Sequence, residues 1–252
     1  MSFLRESGKN MSTVYLKIDD DLDECQTLWR YMDLSKFISL LEKKALWLAR
    51  ADTFRDKHEG RFPVDMRIAI EKAYKDLDQN NNPKVKDADD FQDFLSKNTF
   101  INCWHKNFDE NMVMWEIYGK DTNALAIQTS VKKLKDNINT STITGHSLIL
   151  KGVKYQHAHD TTGVRRYEEC FFIKRPHFSF EDEARISLDT YSSTNPTKKT
   201  PYGYYLPVSI NGLIERILIH PDSPDWFKEA IDSITEKYEI HANVVRGLYG
   251  TQ

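Results

Sequence analysis

Two hydrophobic periods interleave along this chain in no regular order, and that mixture restricts the folds open to it. Strand-like apolar runs or alternations occur at residues 14–18, 28–31, 45–49, 99–104, 124–129, 147–155, 184–188, 213–220 and 242–245. Helical spacing appears at Leu34, Phe37, Ile38 and Leu41, with Asp33 placed to cap the helix. It appears again at 64–77, 111–118, onward from Ser130, and 225–237, and the aromatic stretch 165–173 also reads as helical. A doubly wound sheet requires strand and helix to alternate, and here strand often follows strand. The expected class is therefore α+β, a single domain with a central mixed or antiparallel sheet flanked by helices. Its expected limits are 14–252, behind a polar, flexible leader at 1–13. The segment 78–90, with Asn80-Asn81-Asn82-Pro83, is expected to be an exposed, turn-rich insertion inside that domain, and 189–207 a long loop.

Composition excludes several classes of function. A hydrophobic fraction of 40% over 252 residues is enough for a core, and too apolar for disorder. Lys+Arg 35 against Asp+Glu 38 leaves a net charge of -3, so the whole-molecule field draws in neither nucleic acid nor an anionic membrane; a local basic groove stays compatible with it. Cys25, Cys103 and Cys170 form no C-x-x-C pair, which points to free thiols in a reducing cytoplasm and away from disulfides or zinc. No apolar run approaches the roughly 18 residues that would suggest a membrane span.

The common catalytic signatures are missing: P-loop, dinucleotide fingerprint, nucleophile elbow and H-E-x-x-H. The acidic run 19–24 reads as a solvated turn, and His157-Ala158-His159 as a solvated loop pair whose spacing marks no third metal ligand. More informative is Phe180-Glu181-Asp182-Glu183-Ala184-Arg185-Ile186-Ser187-Leu188. Extended, it would turn Phe180, Ala184, Ile186 and Leu188 to the core and Glu181, Glu183 and Arg185 to the other face. Neighbouring like charges raise one carboxyl pKa while an arginine lowers it, which is how acid/base and cation-stabilising groups are tuned. The same pattern suits an edge strand whose charges block aggregation. Because that face is polar, Glu183→Gln is expected to change stability little.

A second constellation, Arg50-Ala-Asp52-Thr-Phe-Arg55-Asp56-Lys-His58-Glu59-Gly60, leaves a buried strand as a polar loop, a common place for ligands as well as for plain solvated turns. Glu59 is expected to contact the cleft. Trp115 and Tyr118, three apart, would share a helix face, either as core or as an aromatic wall for a planar ligand.

These segments together resemble the bacterial family called domain of unknown function 2971. The motifs concerned are Leu28-Trp-Arg30-Tyr31, Leu46-Trp through Phe54-Arg-Asp56-Lys-His-Glu59-Gly60, Met114-Trp115-Glu-Ile-Tyr118-Gly119 and Val153-Lys-Tyr155. They continue with Lys174, Phe178-x-Phe180-Glu181-x-Glu183-x-Arg185, Ile217-Leu-Ile-His-Pro221 and Val245-Arg-Gly-Leu-Tyr249. Arg55 stands where the family usually has Asn, and Phe178 where it often has Trp. The layout is similar, at the level of fold, to ADP-ribosyltransferase-like toxins of the DNA-modifying kind. That similarity implies NAD as cofactor, no metal, Glu183 as catalytic carboxylate and Glu181 as its helper. It implies Arg30 and Arg185 for pyrophosphate, Tyr31 and Trp115 for stacking, and Asp56, Glu59, Tyr118 and Lys174 as further substrate-binding residues. The acceptor would be nucleic acid or protein, and the setting a cytoplasmic toxin or phage-defence system. Two alternatives remain: a nucleic-acid glycosylase or nuclease using the same cleft, and a non-catalytic module that binds protein or nucleic acid.

Overall fold

The computed structural model describes residues 16–18, 21–76, 87–119, 121–141, 143, 147–157, 166–190 and 201–248. The leader, most of the 78–90 insertion, residues 158–165 with His159, and Tyr249 lie outside these. In chain order the elements are β1 Leu16–Ile18, β2 Thr27–Asp33, α1 Leu34–Lys43, β3 Ala45–Arg50, α2 Val64–Asp76, α3 Ala88–Lys97 and β4 Thr99–Lys106. There follow α4 Met112–Met114, β5 Ala124–Ser130, α5 Val131–Asn137, β6 Ser147–Gly152, β7 Lys154–Tyr155, β8 Ile173–Lys174 and β9 Glu183–Asp189. The chain then forms β10 Gly203–Pro207, α6 Ile210–Leu213, β11 Arg216–Ile219, α7 Asp225–Lys237 and β12 Asn243–Arg246.

Ten strands make one mixed sheet in the order β1-β6-β9-β4-β2-β5-β11-β12, with β3 joining β4 and β10 joining β3. The β1–β6 and β11–β12 pairs are parallel and the rest antiparallel, while β7 and β8 form a separate parallel pair. The expected α+β class is therefore what the chain adopts. Asp33 caps α1 as its sequence suggests, its carboxylate accepting from the Lys36 N–H at 2.9 Å.

One face of the sheet carries the main core, with Phe37 of α1, Leu134 of α5, Leu213 of α6 and Phe227 of α7 packed on Leu28, Leu48, Ile127, Ile186 and Ile217. The opposite face carries two smaller apolar clusters. One holds Trp29, Tyr31, Met114, Trp115 and Ala126; the other holds Ala51, Leu95, Ile101, Cys170, Phe171 and Phe172.

Between them the sheet forks. β2 pairs with β5 along its whole length, but meets β4 only at Leu28↔Lys106 and Trp29↔His105. Further along the same edge, β4 pairs with β3 at Ile101 and Phe100. Side chains span the gap: Arg30 Nη1 donates to the Cys103 carbonyl at 2.5 Å, and Asn102 Nδ2 to the Trp47 carbonyl at 2.9 Å.

Three expectations are corrected. Part of the expected 189–207 loop is β10, whose Gly203–Pro207 pairs with Ala49–Ala45 of β3. The end of the 78–90 insertion is the start of α3, with Ala88 fully buried. Phe180 does not face the core: the strand begins only at Glu183, Phe180 and Glu181 lie in the 3-10 turn Pro176–Glu181, and Phe180 is 39% exposed.

Candidate active site

β9 is buried on both faces. Ala184, Ile186 and Leu188 enter the main core, while Glu183 and Arg185 face the polar strip between the two smaller clusters. The register sets Glu183 beside His105 and Arg185 beside Cys103 on β4. Asp182, at a left-handed φ of 32°, ends the 3-10 turn, so Glu181 and Glu183 converge on one ammonium. That ammonium is Lys174 at the end of β8. It pairs with Glu181 Oε2, with Glu183 Oε1 at 3.2 Å, and with Glu59 Oε1 at 3.1 Å.

Arg185 closes the cluster. Its Nε donates to Glu183 Oε2 at 2.6 Å, its Nη2 to Glu59 Oε2 at 3.0 Å, and its Nη1 to the Phe171 carbonyl at 2.8 Å. No side chain of these five is more than 9% exposed. Glu183 is held through its backbone as well: its N–H donates to the Tyr155 hydroxyl at 2.9 Å and its carbonyl accepts from the Val153 N–H at 2.8 Å. Phe178 covers Lys174, with Nζ 4.7 Å from the ring centroid.

Glu59 reaches the cluster because its loop ends on Gly60 at φ +72°, where an added Cβ would lie 2.6 Å from the Phe171 ring. Asp56 shapes the same loop, accepting from the His58 N–H at 3.0 Å and pairing with Arg175 at 3.0 Å. Glu59, Lys174, Arg175, His58 and Arg61 line a cavity of about 110 Å³, and Glu59, Asp56 and Arg61 also line a neighbouring one of about 310 Å³.

Three carboxylates thus share two cations, and the two glutamates of β9 and its preceding turn titrate apart. Burial, and the hydrogen bond and repulsion from Glu183, push the Glu181 carboxyl up to about 7. Burial works on Glu183 in the same sense, but the charge of Arg185, with Glu181 and Lys174, outweighs it and holds the carboxyl well below its usual range. Burial opposes the charge on Lys174, yet Glu183, Glu59 and Glu181 keep it protonated.

The structure brings Glu59, Lys174, Glu181, Glu183 and Arg185 into direct contact, with Tyr118 at their edge, its hydroxyl donating to Glu181 Oε1 at 3.2 Å. Arg30 is half-buried across the fork, and Asp56 sits in the loop outside the cluster. Tyr31 and Trp115 pack edge to face on each other at 4.8 Å, inside an apolar cluster and nearly fully buried. Trp115 and Tyr118 do not share a face, because Trp115–Gly119 is wound as a π-helix. Its wider turn sends Trp115 to the core and leaves Tyr118 42% exposed.

The face of Glu183 corrects the stability expectation: it is buried and ion-paired, not solvated. Sequence reasoning missed Tyr155 and His105 as site residues. The signal for His105 was its alternation with Cys103 on a strand whose other face is apolar.

No family model matches the chain, and no curated protein matches it. Among solved structures it is similar to DarT of Thermus sp. 2.9 in complex with NAD+, at 11% identity and a TM-score of 0.41 over 89% of this chain and 96% of that one. The same protein in complex with ADP-ribosylated ssDNA gives 12% identity and a TM-score of 0.39 over 89% and 95%. No helix among the described residues is long and apolar enough to cross a membrane.

Proposed function

We propose that this chain is an NAD-dependent glycosyl-transfer enzyme of the ADP-ribosyltransferase kind, a toxin or phage-defence effector acting on nucleic acid or protein. The observation that carries the reading is the charge count of the buried cluster: Glu59, Glu181 and Glu183 against Lys174 and Arg185. One negative charge in excess, in a water-poor setting, suits positive charge that develops during reaction. When bound, NAD supplies a ribose whose bond to nicotinamide breaks with build-up of positive charge.

The chain's own groups divide the work. Glu183, fixed by Tyr155, Lys174 and Arg185, provides a carboxylate that stays ionised. Glu181, near neutrality, holds or releases a proton at Oε1, beside the Tyr118 hydroxyl. Arg185 engages all three guanidinium nitrogens inside the protein, so anion binding falls to Arg61, Arg175 and His58 around the 110 Å³ cavity. Stacking falls to the exposed rings of Tyr118 and Phe180, since Tyr31 and Trp115 face each other. The test is incubation with NAD labelled in the nicotinamide ring, with and without single-stranded DNA, RNA or protein. Release of free nicotinamide is expected, and its absence under every condition overturns the reading.

One observation favours a second reading. Both oxygens of Glu183 and both of Glu59 are already paired, as they are in a purely structural ion network. A non-catalytic binding module fits that saturation, and it is what remains if NAD is left intact.

A further inference from the structure

His105 of β4 is 3% exposed, and its two ring nitrogens are treated very differently. Nδ1 lies 2.6 Å from the carbonyl oxygen of Glu181. A carbonyl only accepts, so Nδ1 carries the proton. In the neutral ring Nε2 is then a bare acceptor, and among the described residues it has no hydrogen-bond partner. Burial lowers the imidazole pKa, against the pull of the Glu181 carbonyl, Asp182 and Glu183, which favours the neutral form. An unmatched buried acceptor is costly, and such atoms call for a partner that completes them. The ring lies between β9, where Glu183 is its register partner, and β2, where Tyr31 is 6.4 Å away between centroids. That is where the sheet forks and Arg30 crosses to Cys103.

We propose that His105 Nε2 is a ligand-binding acceptor, taking a hydrogen bond from an exocyclic N–H of a planar carboxamide- or amine-bearing ring bound in the fork. On the reading above, which this inference rests on, that ring is nicotinamide. The Glu181 carbonyl locks the tautomer in advance, so the acceptor needs no rearrangement when the ligand arrives. The same contact ties ligand recognition to the turn that carries Glu181.

Two substitutions separate this role from a structural one. His105→Asn places an amide donor near the Nδ1 position and leaves nothing at Nε2. His105→Gln places an amide near Nε2 and abandons the Glu181 carbonyl. The inference expects His105→Asn to keep its melting temperature and raise KM for NAD about 10- to 100-fold, and His105→Gln to melt lower yet stay within a few-fold of the wild-type KM. Full activity in His105→Asn overturns it.

A second arm needs no turnover. In the 15N-histidine-labelled wild-type chain, Nε2 should resonate as an unprotonated nitrogen and shift on addition of nicotinamide but not of N,N-dimethylnicotinamide. If the wild type releases no nicotinamide, the ADP-ribosyl reading fails and the spectrum decides alone, with adenosine and cytidine as added probes. A bare Nε2 that moves with one of them supports the acceptor role. A protonated Nε2, or a bare one that no probe moves, overturns it.

Discussion

At the scale of single residues, the cluster around Lys174 makes stability and activity inseparable at some positions and separable at others. Glu183→Gln removes a charge that Lys174 and Arg185 both neutralise. Leaving buried cations short of a partner costs roughly 3–5 kcal/mol, so denaturant unfolding should show a loss of that size. Nicotinamide release should fall by roughly two to three orders of magnitude, as when a preorganised charge is lost. Wild-type stability in this variant removes the ion-pair account. Glu181 behaves differently. Its carboxyl is pushed up to about 7 in the fold, against 4.5 as its ordinary value. A raised carboxyl pKa means the native state binds the proton more tightly, so this contribution is full below pH 4.5 and is lost as pH rises through 7. Melting temperatures recorded from pH 4.5 to 8 should therefore fall more for the wild type than for Glu181→Gln. Parallel curves for the two proteins contradict the assignment.

At the scale of elements, the loop from Ala51 to Gly60 is held to the sheet by a glycine that cannot be replaced cheaply. Gly60→Ala meets both a left-handed φ and the Phe171 ring. A loss of roughly 2–4 kcal/mol is expected, with reduced activity because Glu59 moves with its neighbour. Gly152→Ala is the control, since an added Cβ there finds its nearest atom at 3.5 Å, the end of a lysine. If calorimetry finds the two variants equally stable, the loop is not anchored in this way.

The same scale explains what the sequence revealed. Helix α7 was legible end to end, because thirteen amphipathic residues settle their own period. Helix α3 was hidden in an acidic stretch, although Asp87 as N-cap with Asp89 and Asp90 in the first turn was a usable signal. Strand β10 was hidden because its pairing comes from β3, far away in the chain. Within the site, Glu59 and Glu183 were visible as charges attached to apolar strands. Lys174 entered only through the family resemblance, since three carboxylates from separate turns meet it only in the fold. The exchange of roles between Trp115 and Tyr118 depends on a π turn that helical spacing does not encode.

At the scale of the whole molecule, the main core draws residues from β2, β3, β4, β5, β6, β9, β10 and β11 and from four helices. A single cooperative unfolding transition is therefore expected in calorimetry, and two resolved transitions would contradict one domain. The site's carboxylates are satisfied by lysine and arginine, so treatment with a chelator is expected to leave both the melting temperature and any activity unchanged. The cluster lies where the sheet forks, with an exposed tyrosine on one side and two polar cavities on the other. The central claim is that its excess negative charge serves glycosyl transfer from NAD. The direct measurement is release of labelled nicotinamide by the wild type and Glu183→Gln, with single-stranded DNA, RNA or protein present. Turnover by the wild type, reduced at least a hundredfold in a folded Glu183→Gln protein, is expected. Equal turnover by the two proteins, or none by the wild type with any acceptor, contradicts the claim.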